Sequence, residues 1–404
     1  MKVPFSPPRI DDKILDEVKA ALLSGWITTG PRVKAFEQKI TEYCGHKKTL
    51  CVSSGSAGLE LMLRWYGVKE GDEVILPAYT YAATANVIIH CGAKPVFVDC
   101  GSDFNLSIDG IREAISEKTK VIMPVDIAGW ACDYEEINAL VNDLQIKAVF
   151  NPETEAQNKL GRILILSDAA HSLGAVYKGN RAGNLTDLTV FSFHAVKNLT
   201  TAEGGAVCLN LPDVFDVEEI YKALNIKSLH GQTKDALSKT QKGNWKYDII
   251  EPGYKFNMTD IVAAIGLIEL ERYQDDMLVK RKRVFEAYAQ AFTLYDWAIS
   301  PQYVSKDKTS SYHVFQLRLN GVTEEQRDQV IHEIFEQDVA VNVHFIPLPM
   351  MTYYKNQGYD IKDYPKAYER YACEISLPVY YNITLEQVEL VIESVVRAVY
   401  KVLP

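Results

Sequence analysis

TLCVSSGSAGLELMLRWY, residues 49–66, runs from a short apolar stretch through four small residues into a helical pattern. Leu59, Met62, Leu63 and Tyr66 share one helical face, so the segment predicts a strand, a tight turn through Ser54, Gly55, Ser56 and Ala57, and a helix. Such a turn lets backbone N–H groups approach an anion at the positive end of a helix. It can equally be a plain helix cap. It has neither the glycine spacing of the dinucleotide fingerprint nor the GK[ST] of a P-loop.

Working outward, the same alternation recurs. TLCVSS (49–54), EVILP (73–77), PVFVD (95–99), VIMPVD (121–126), ILILSD (163–168), LTVFSF (188–193) and AVCLN (206–210) read as strands separated by helical stretches. Several are continuously apolar, as strands covered by helices on both faces are. Upstream, Ile14, Val18, Ala21 and Leu22 predict a helix that leads into the turn-like SGWITTGP. After about residue 211 the alternation gives way to a polar, lysine-rich stretch ending at PGYKFN. MTDIVAAIGLIELERYQ and the charged segment after it then predict one long helix bridging to a second domain. That domain opens with YHVFQLRLN. Thr323 with Gln326 and Thr384 with Gln387 have capping-box spacing, each heading a helix. The last helix puts Val388, Val391, Ile392, Val395 and Val399 on one face.

Composition narrows the functional classes. The 404 residues carry 43 Lys+Arg against 53 Asp+Glu, a net charge of -10, which opposes binding to nucleic acid through phosphate neutralisation. At 47% hydrophobic residues the chain can build a sizeable core. Its seven cysteines form no CxxC pair, so neither a disulfide framework nor a metal site is expected. No stretch approaches the roughly 18 apolar residues of a membrane span, and MKVPFSPPRI has no apolar leader core. A cytoplasmic protein with no membrane contact is expected.

Two further segments carry chemistry. In ILILSDAAHSLGA, Asp168 ends a buried strand, where ligands of parallel sheets bind and a carboxylate can hold a cationic ring nitrogen; it can also simply cap AAHSLGA. His171 follows three residues on and, taken singly, reads as a buried structural histidine. In FSFHAVKNLTTAEGGAVCLN, Lys197 lies on the short path between two core strands, where burial lowers an amine's pKa and suits it to Schiff-base chemistry. An anion cradle, an Asp on a strand end and a Lys on the next turn together make the set that pyridoxal 5'-phosphate requires.

Over essentially its whole length the chain resembles the DegT-type nucleotide-sugar aminotransferases, a branch of the fold-type-I pyridoxal-phosphate enzymes. The matching pieces are GWITTGPRVKAFE (25–37), SSGSAGLEL (53–61), LPAYTYAATANVI (76–88), SDAAHSLGA (167–175), FSFHAVKNLTTAEGGAV (191–207), GYKFNMTDIVAAIGL (253–267) and SLPVY (376–380). The resemblance implies an α/β fold with a mixed, mostly parallel sheet sandwiched by helices, and a smaller C-terminal α+β domain. The expected division is a large cofactor domain with an N-terminal arm over residues 1–270 and a small domain over 271–404. It implies Lys197 as the Schiff-base lysine and Asp168 as the partner of the pyridine nitrogen. His171 would lie near the ring and its 3′-oxygen, Tyr81 would stack on its face, and Ser56, Ala57 and Ser192 would hold the phosphate. Asn257 would reach the phosphate of a neighbouring subunit, making a homodimer with shared sites. Thr28 and Thr29 would touch the sugar nucleotide or cofactor, with His313 and His344 near the substrate.

Two departures stand out. Asp126 occupies a position where family members usually have His, and VFNPETEAQNKLGR (149–162) reads as a polar surface insertion that leaves the core unchanged. The expected activity is amino transfer from an amino acid, glutamate by analogy, to a keto sugar carried on a nucleotide. HAVKN and WITTGP lean towards C4 of a UDP-linked 4-keto sugar, with C3 amination open. A dehydratase of the same fold would carry His in place of Lys197. A non-catalytic cofactor-binding regulator is the reading from another class.

Overall fold

The computed structural model describes residues 1–234 and 246–403; the middle of the lysine-rich stretch lies outside them. All seven strands expected from the apolar runs pair into one sheet. They are β1 (Lys48–Val52), β2 (Glu73–Pro77), β3 (Lys94–Val98), β4 (Thr119–Ile122), β5 (Leu164–Asp168), β6 (Leu188–Ser192) and β7 (Gly205–Leu209), in the order β1-β7-β6-β5-β4-β2-β3. β7 is antiparallel to both its neighbours, and the other pairings are parallel. The sheet is thus mixed and mostly parallel.

The helices that position the site are α1 (Asp12–Leu23), α2 (Pro31–Cys44), α3 (Gly55–Tyr66), α4 (Ala82–His90), α5 (Asp260–Glu271), α6 (Leu278–Phe292), α7 (Glu324–Phe335) and α8 (Leu385–Val402). α3 starts where Ser54 Oγ accepts the Ala57 N–H at 3.0 Å and stops at Gly67, whose φ of 83° is left-handed. A Cβ on Gly67 would lie 2.4 Å from Thr154, so no other residue fits there without displacing that neighbour.

Two apolar cores flank the sheet. Leu59, Met62 and Leu63 of α3 pack with Ile75, Ile122 and Ile165 on one side. On the other, Phe36, Ile40, Phe191 and Phe193 join a cluster that continues through Phe285, Phe315, Val391 and Val395 into the C-terminal part. Each such side chain, fully buried, contributes roughly 1.5–3 kcal/mol. The second core therefore runs across residue 270 without a break.

The C-terminal part is built on β8 (Phe315–Leu319), which pairs antiparallel with both Ala298–Ile299 and β9 (Glu374–Leu377). Both capping boxes form, at Thr323 with Gln326 and at Thr384 with Gln387. Val388, Val391, Val395 and Val399 of α8 are buried, and Ile392 is half-buried at the edge of the stripe.

Three sequence expectations need correction. The predicted bridging helix is not continuous: a π-helical turn at Tyr273–Met277 separates α5 from α6 and turns both Tyr273 and Met277 inward. Tyr273 then donates its hydroxyl to the Leu173 carbonyl at 2.7 Å. The polar stretch after 211 contains a helix, Val217–Ser228, capped by Asp216, which its charged face concealed. The segment at 149–162 lies largely at the surface, but it does not leave the core untouched: Phe150 is part of it. Its short helix Glu155–Leu160 buries Gln157, whose Nε2 donates to the Tyr66 carbonyl at 3.0 Å, closing the end of α3. The N-terminal arm reaches the C-terminal part, with Val3 exchanging backbone hydrogen bonds with Asp338 and Ala340 at 2.9 Å each.

Candidate active site

A cavity of about 350 Å³ opens at the ends of β5 and β6, between the N-terminus of α3, the start of α4 and the C-terminal part. Ser56, Tyr81, Asp168, His171, Ser192, Lys197, His313 and His344 all line it, although the chain separates the first from the last by most of its length.

Asp168 is set by its place at the end of β5. Its Oδ2 accepts the Thr84 hydroxyl at 2.8 Å and its Oδ1 the Ala170 N–H at 3.2 Å, so it caps the following turn while facing the cavity. Burial raises its pKa, and the Thr84 and Ala170 bonds and the Lys197 charge pull it back. A cation brought against it would restore the carboxylate.

Lys197 lies on the loop from β6 to β7. The loop is held by its own N–H on the His194 carbonyl at 2.9 Å and by the next side chain, Asn198, whose Nδ2 donates to Ser311 at 2.7 Å. Desolvation lowers the amine to about 8, opposed by Asp168. Near neutral pH a usable fraction is therefore the free base.

Three imidazoles cluster beside it. His171 Nδ1 accepts the Ala128 N–H at 3.2 Å, which assigns the proton to Nε2; Ala128 holds a left-handed φ of 55° to present that N–H. The His171 ring lies 4.3 Å from that of His313 and 5.7 Å from Phe345. His313 Nδ1 donates to Asn198 Oδ1 at 2.7 Å, the oxygen left free when the amide donates to Ser311. Burial, followed by neighbouring positive groups, holds both histidines well below the ordinary imidazole range. They are neutral donors and acceptors here.

The α3 turn forms a floor of small residues. A Cβ on Gly205 would sit 2.6 Å from the Ser54 carbonyl carbon, and one on Gly55 3.1 Å from Ser192 Cβ. Ser56 and Ser192 face the cavity, whereas Ala57 lines an adjoining depression with Ser53, Lys255 and Phe256. Tyr81 stands at the mouth, 63% exposed.

Besides Ala57, three expected contact residues are not brought to this cavity. Thr29 donates to the Met258 carbonyl at 2.6 Å and accepts from Asn257 Nδ2 at 2.7 Å, and the Thr28 carbonyl accepts the Asp260 N–H at 3.0 Å. The loop is fixed by Asp260, whose carboxylate takes the N–H groups of Gly30, Arg32 and Val33 at the start of α2. Asn257 Oδ1 is buried with no hydrogen-bond partner among the described residues. Asp126 points inward and accepts from Tyr134, Ser172 and the Cys132 N–H.

Sequence reasoning passed over Thr84, Asn198, Phe5 and Phe345. Thr84 had a signal, a hydroxyl in the first turn of a helix beginning at the sheet's ligand edge. Phe5 had none, since it lines the cavity only by stacking on His344, 5.5 Å between ring centres. Among the described residues no group of three or more His, Cys, Asp or Glu could hold a metal, and no helix is long and apolar enough to cross a membrane.

The model of the DegT/DnrJ/EryC1/StrS aminotransferase family matches residues 8–151 and 153–396. The spore coat polysaccharide biosynthesis protein SpsC of Bacillus subtilis is 36% identical over 401 residues, covering 97% of this chain and 96% of that protein. Among solved structures, Spr1654 of Streptococcus pneumoniae, assigned as a sugar aminotransferase, superposes in its PMP form with a TM-score of 0.95 at 45% identity, over 99% of this chain and 100% of the other. PseC of Helicobacter pylori, an aminotransferase involved in pseudoaminic acid biosynthesis, reaches 0.86 at 26% identity over 99% and 100% of the two chains.

Proposed function

Because the chain belongs to the DegT/DnrJ/EryC1/StrS aminotransferase family, whose members are pyridoxal-phosphate enzymes acting on sugars, we propose that it aminates the keto group of a nucleotide-linked sugar with glutamate as donor. The reading extends to C4 of a UDP-linked 4-keto sugar. The observation that carries it is the meeting of Lys197 and Asp168 at one cavity beside the N-terminus of α3.

The residues present fit the cofactor. A half-buried amine with a lowered pKa, a buried carboxylate with a raised one, and a glycine-floored turn offer a covalent anchor, a counter-charge for a ring nitrogen and a phosphate seat. When bound, pyridoxal phosphate supplies the carbonyl that takes up the donor's nitrogen and a ring that withdraws electrons.

The chain's own residues do the rest. Lys197 holds the cofactor, then as a neutral amine moves the proton of the donor α-carbon. Asp168, oriented by Thr84, keeps the ring nitrogen cationic. Ser56 and Ser192, with Ala57 from the adjoining depression, would hold the phosphate, and His171 and Tyr81 would contact the ring. His313 and His344 face the sugar.

Asn257, Thr28 and Thr29 serve a neighbouring copy of the chain, so the active unit is a homodimer. The exposed apolar side chains of Leu22, Leu23 and Ile27 beside the threonine loop support this.

The test is a panel of nucleotide-linked 4-keto and 3-keto sugars with glutamate, with the product's new C–N bond located by NMR. Amination at C4 is expected. Amination at C3 would move the specificity within the family, and no turnover of any sugar by cofactor-loaded protein would overturn the reading.

A further inference from the structure

From the wall of the cavity a hydrogen-bonded chain leads into the core of the C-terminal part. His344 lines the cavity, and its Nδ1 lies 2.9 Å from Ser376 Oγ. Ser376 is in turn hydrogen-bonded to Glu374 Oε1. Glu374 and Ser376 are two apart on β9 and so share one face of the strand. Both are completely buried. Glu374 Oε2 accepts the His344 backbone N–H at 3.1 Å, so the main chain and the ring of His344 are tied to the same strand face. The His344 carbonyl accepts the Tyr79 hydroxyl at 2.6 Å and Gln316 Nε2 at 2.8 Å. The ring nitrogen that Ser376 does not hold is Nε2.

We propose that Ser376 and Glu374 are positioning residues that set the tautomer of His344, and that the three groups form a relay passing a proton from the cavity to the buried carboxylate. With Glu374 ionised, Oε1 accepts the Ser376 O–H, Oγ accepts the Nδ1–H, and Nε2 keeps a lone pair. A proton arriving on Nε2 from an acid in the cavity sends the Nδ1 proton to Oγ and the Oγ proton to Oε1. Bonds from hydrogen to Nε2, Oγ and Oε1 form, while those to the donor, Nδ1 and Oγ break. No electron is transferred. The ring ends neutral in the other tautomer, and the carboxylate ends as a carboxyl.

The electrostatics suit this direction. Burial, with Lys197 adding to it, holds the His344 imidazole at about 4, so near neutral pH it passes a second proton on and does not keep it. Burial pushes the Glu374 carboxyl up to about 8, against the Ser376 and His344 hydrogen bonds and the Arg327 charge. Glu374 therefore takes up and releases a proton in the working range. Arg327, whose Nη1 donates to the Glu374 carbonyl at 2.9 Å, Arg318, paired with Glu374 across the strands, Tyr79 and Cys373 are other titratable or charged groups around it; Lys197, His171 and His313 are those around His344.

The inference rests on the cavity being the reaction site, but its first test needs no turnover. Cofactor-loaded protein labelled with 15N-histidine reports each tautomer by NMR, and His344→Gln identifies the signal. The expected result is Nδ1–H at high pH changing to Nε2–H at low pH with a midpoint near 8. Glu374→Gln, whose oxygen takes the His344 N–H and whose amide nitrogen is thereby left to donate to Ser376, should hold Nε2–H throughout, and Ser376→Ala should remove the dependence. Should Glu374→Gln fail to fold, the Ser376 variants carry the test. In Ser376→Ala, kcat should fall roughly ten- to a hundredfold with little change in KM, and Ser376→Thr should recover most of it. A tautomer indifferent to pH and to both substitutions, or undiminished kcat in Ser376→Ala, would overturn the relay. A tautomer switch without turnover of any sugar would instead overturn the functional reading alone.

Discussion

The Thr84 hydroxyl donates to Asp168 Oδ2 at 2.8 Å while its own oxygen lies 2.9 Å from Thr80 Oγ1, so the first turn of α4 orients a carboxylate at the end of β5. Neither residue turns this carboxylate by itself: Oδ1 is fixed separately by Ala170.

Thr84→Val keeps the volume and removes that donor. A hydrogen bond to a charged group contributes about 1.5–3 kcal/mol, so cofactor affinity or turnover should fall about ten- to a hundredfold. Thr84→Ser should retain most of it. Titration of apo-protein with pyridoxal phosphate, read in the visible, checks this; equal affinity in Thr84→Val would show that Asp168 is held without it.

Lys197 carries the cofactor covalently in the proposed scheme. Lys197→Ala should lose the borohydride-trapped adduct and transamination together, with mass spectrometry of the wild type placing the adduct on residue 197. The amine's folded pKa of about 8 lies below its ordinary 10.5, so the free base appears as pH rises through 8. The rate of cofactor capture by apo-protein should rise with that midpoint. A rise continuing to pH 10 would mean that the amine is not desolvated.

Asn257→Ala should weaken cofactor binding about ten- to a hundredfold if its amide reaches the neighbour's phosphate. Mixing this variant with Lys197→Ala under limiting cofactor should restore activity, because some heterodimers contain one intact site. A fully active monomer in sedimentation would exclude shared sites.

Arg162 and Asp187 form a buried bidentate pair, with Nη1 to Oδ2 at 2.8 Å and Nη2 to Oδ1 at 2.7 Å, and Asp187 also takes the Ile165 N–H at 3.0 Å. The pair ties the first residues of β5 to the loop before β6. Asp187→Ala strands a buried cation and should cost about 3–5 kcal/mol in denaturant unfolding. A loss below about 1 kcal/mol would show that water reaches the guanidinium.

Glu374 has a folded pKa of about 8 against an ordinary 4.5. Between these values the folded chain keeps a proton that the unfolded chain has released, so this group's contribution to stability declines as pH rises through that window. Glu374→Gln has no such decline. Its melting temperature should gain on the wild type between pH 5 and pH 9, and a constant difference would show that the carboxyl does not titrate there.

The strands, both capping boxes and the residues at the cavity's ligand edge were legible because each depends on near neighbours. Apolar runs mark strands covered on both faces, and Asp168 and Lys197 stand where such strands end. A charged helix at 217–228, the π-turn inside the expected long helix and the anchoring of the 149–162 segment were not legible, since local polarity conceals which side chain a distant backbone will receive. The amino-acid sequence by itself thus determined the strand set, the two helix starts with capping boxes and the chemistry available at the strand ends. The tertiary structure alone decided the strand order, the capping of α2 by Asp260 from 230 residues away, the stacking of Phe5 on His344, and the path from His344 through Ser376 to Glu374. Those contacts join residues whose separation along the chain has no period. What brings them together is the burial of apolar faces between distant elements, and no local pattern records it.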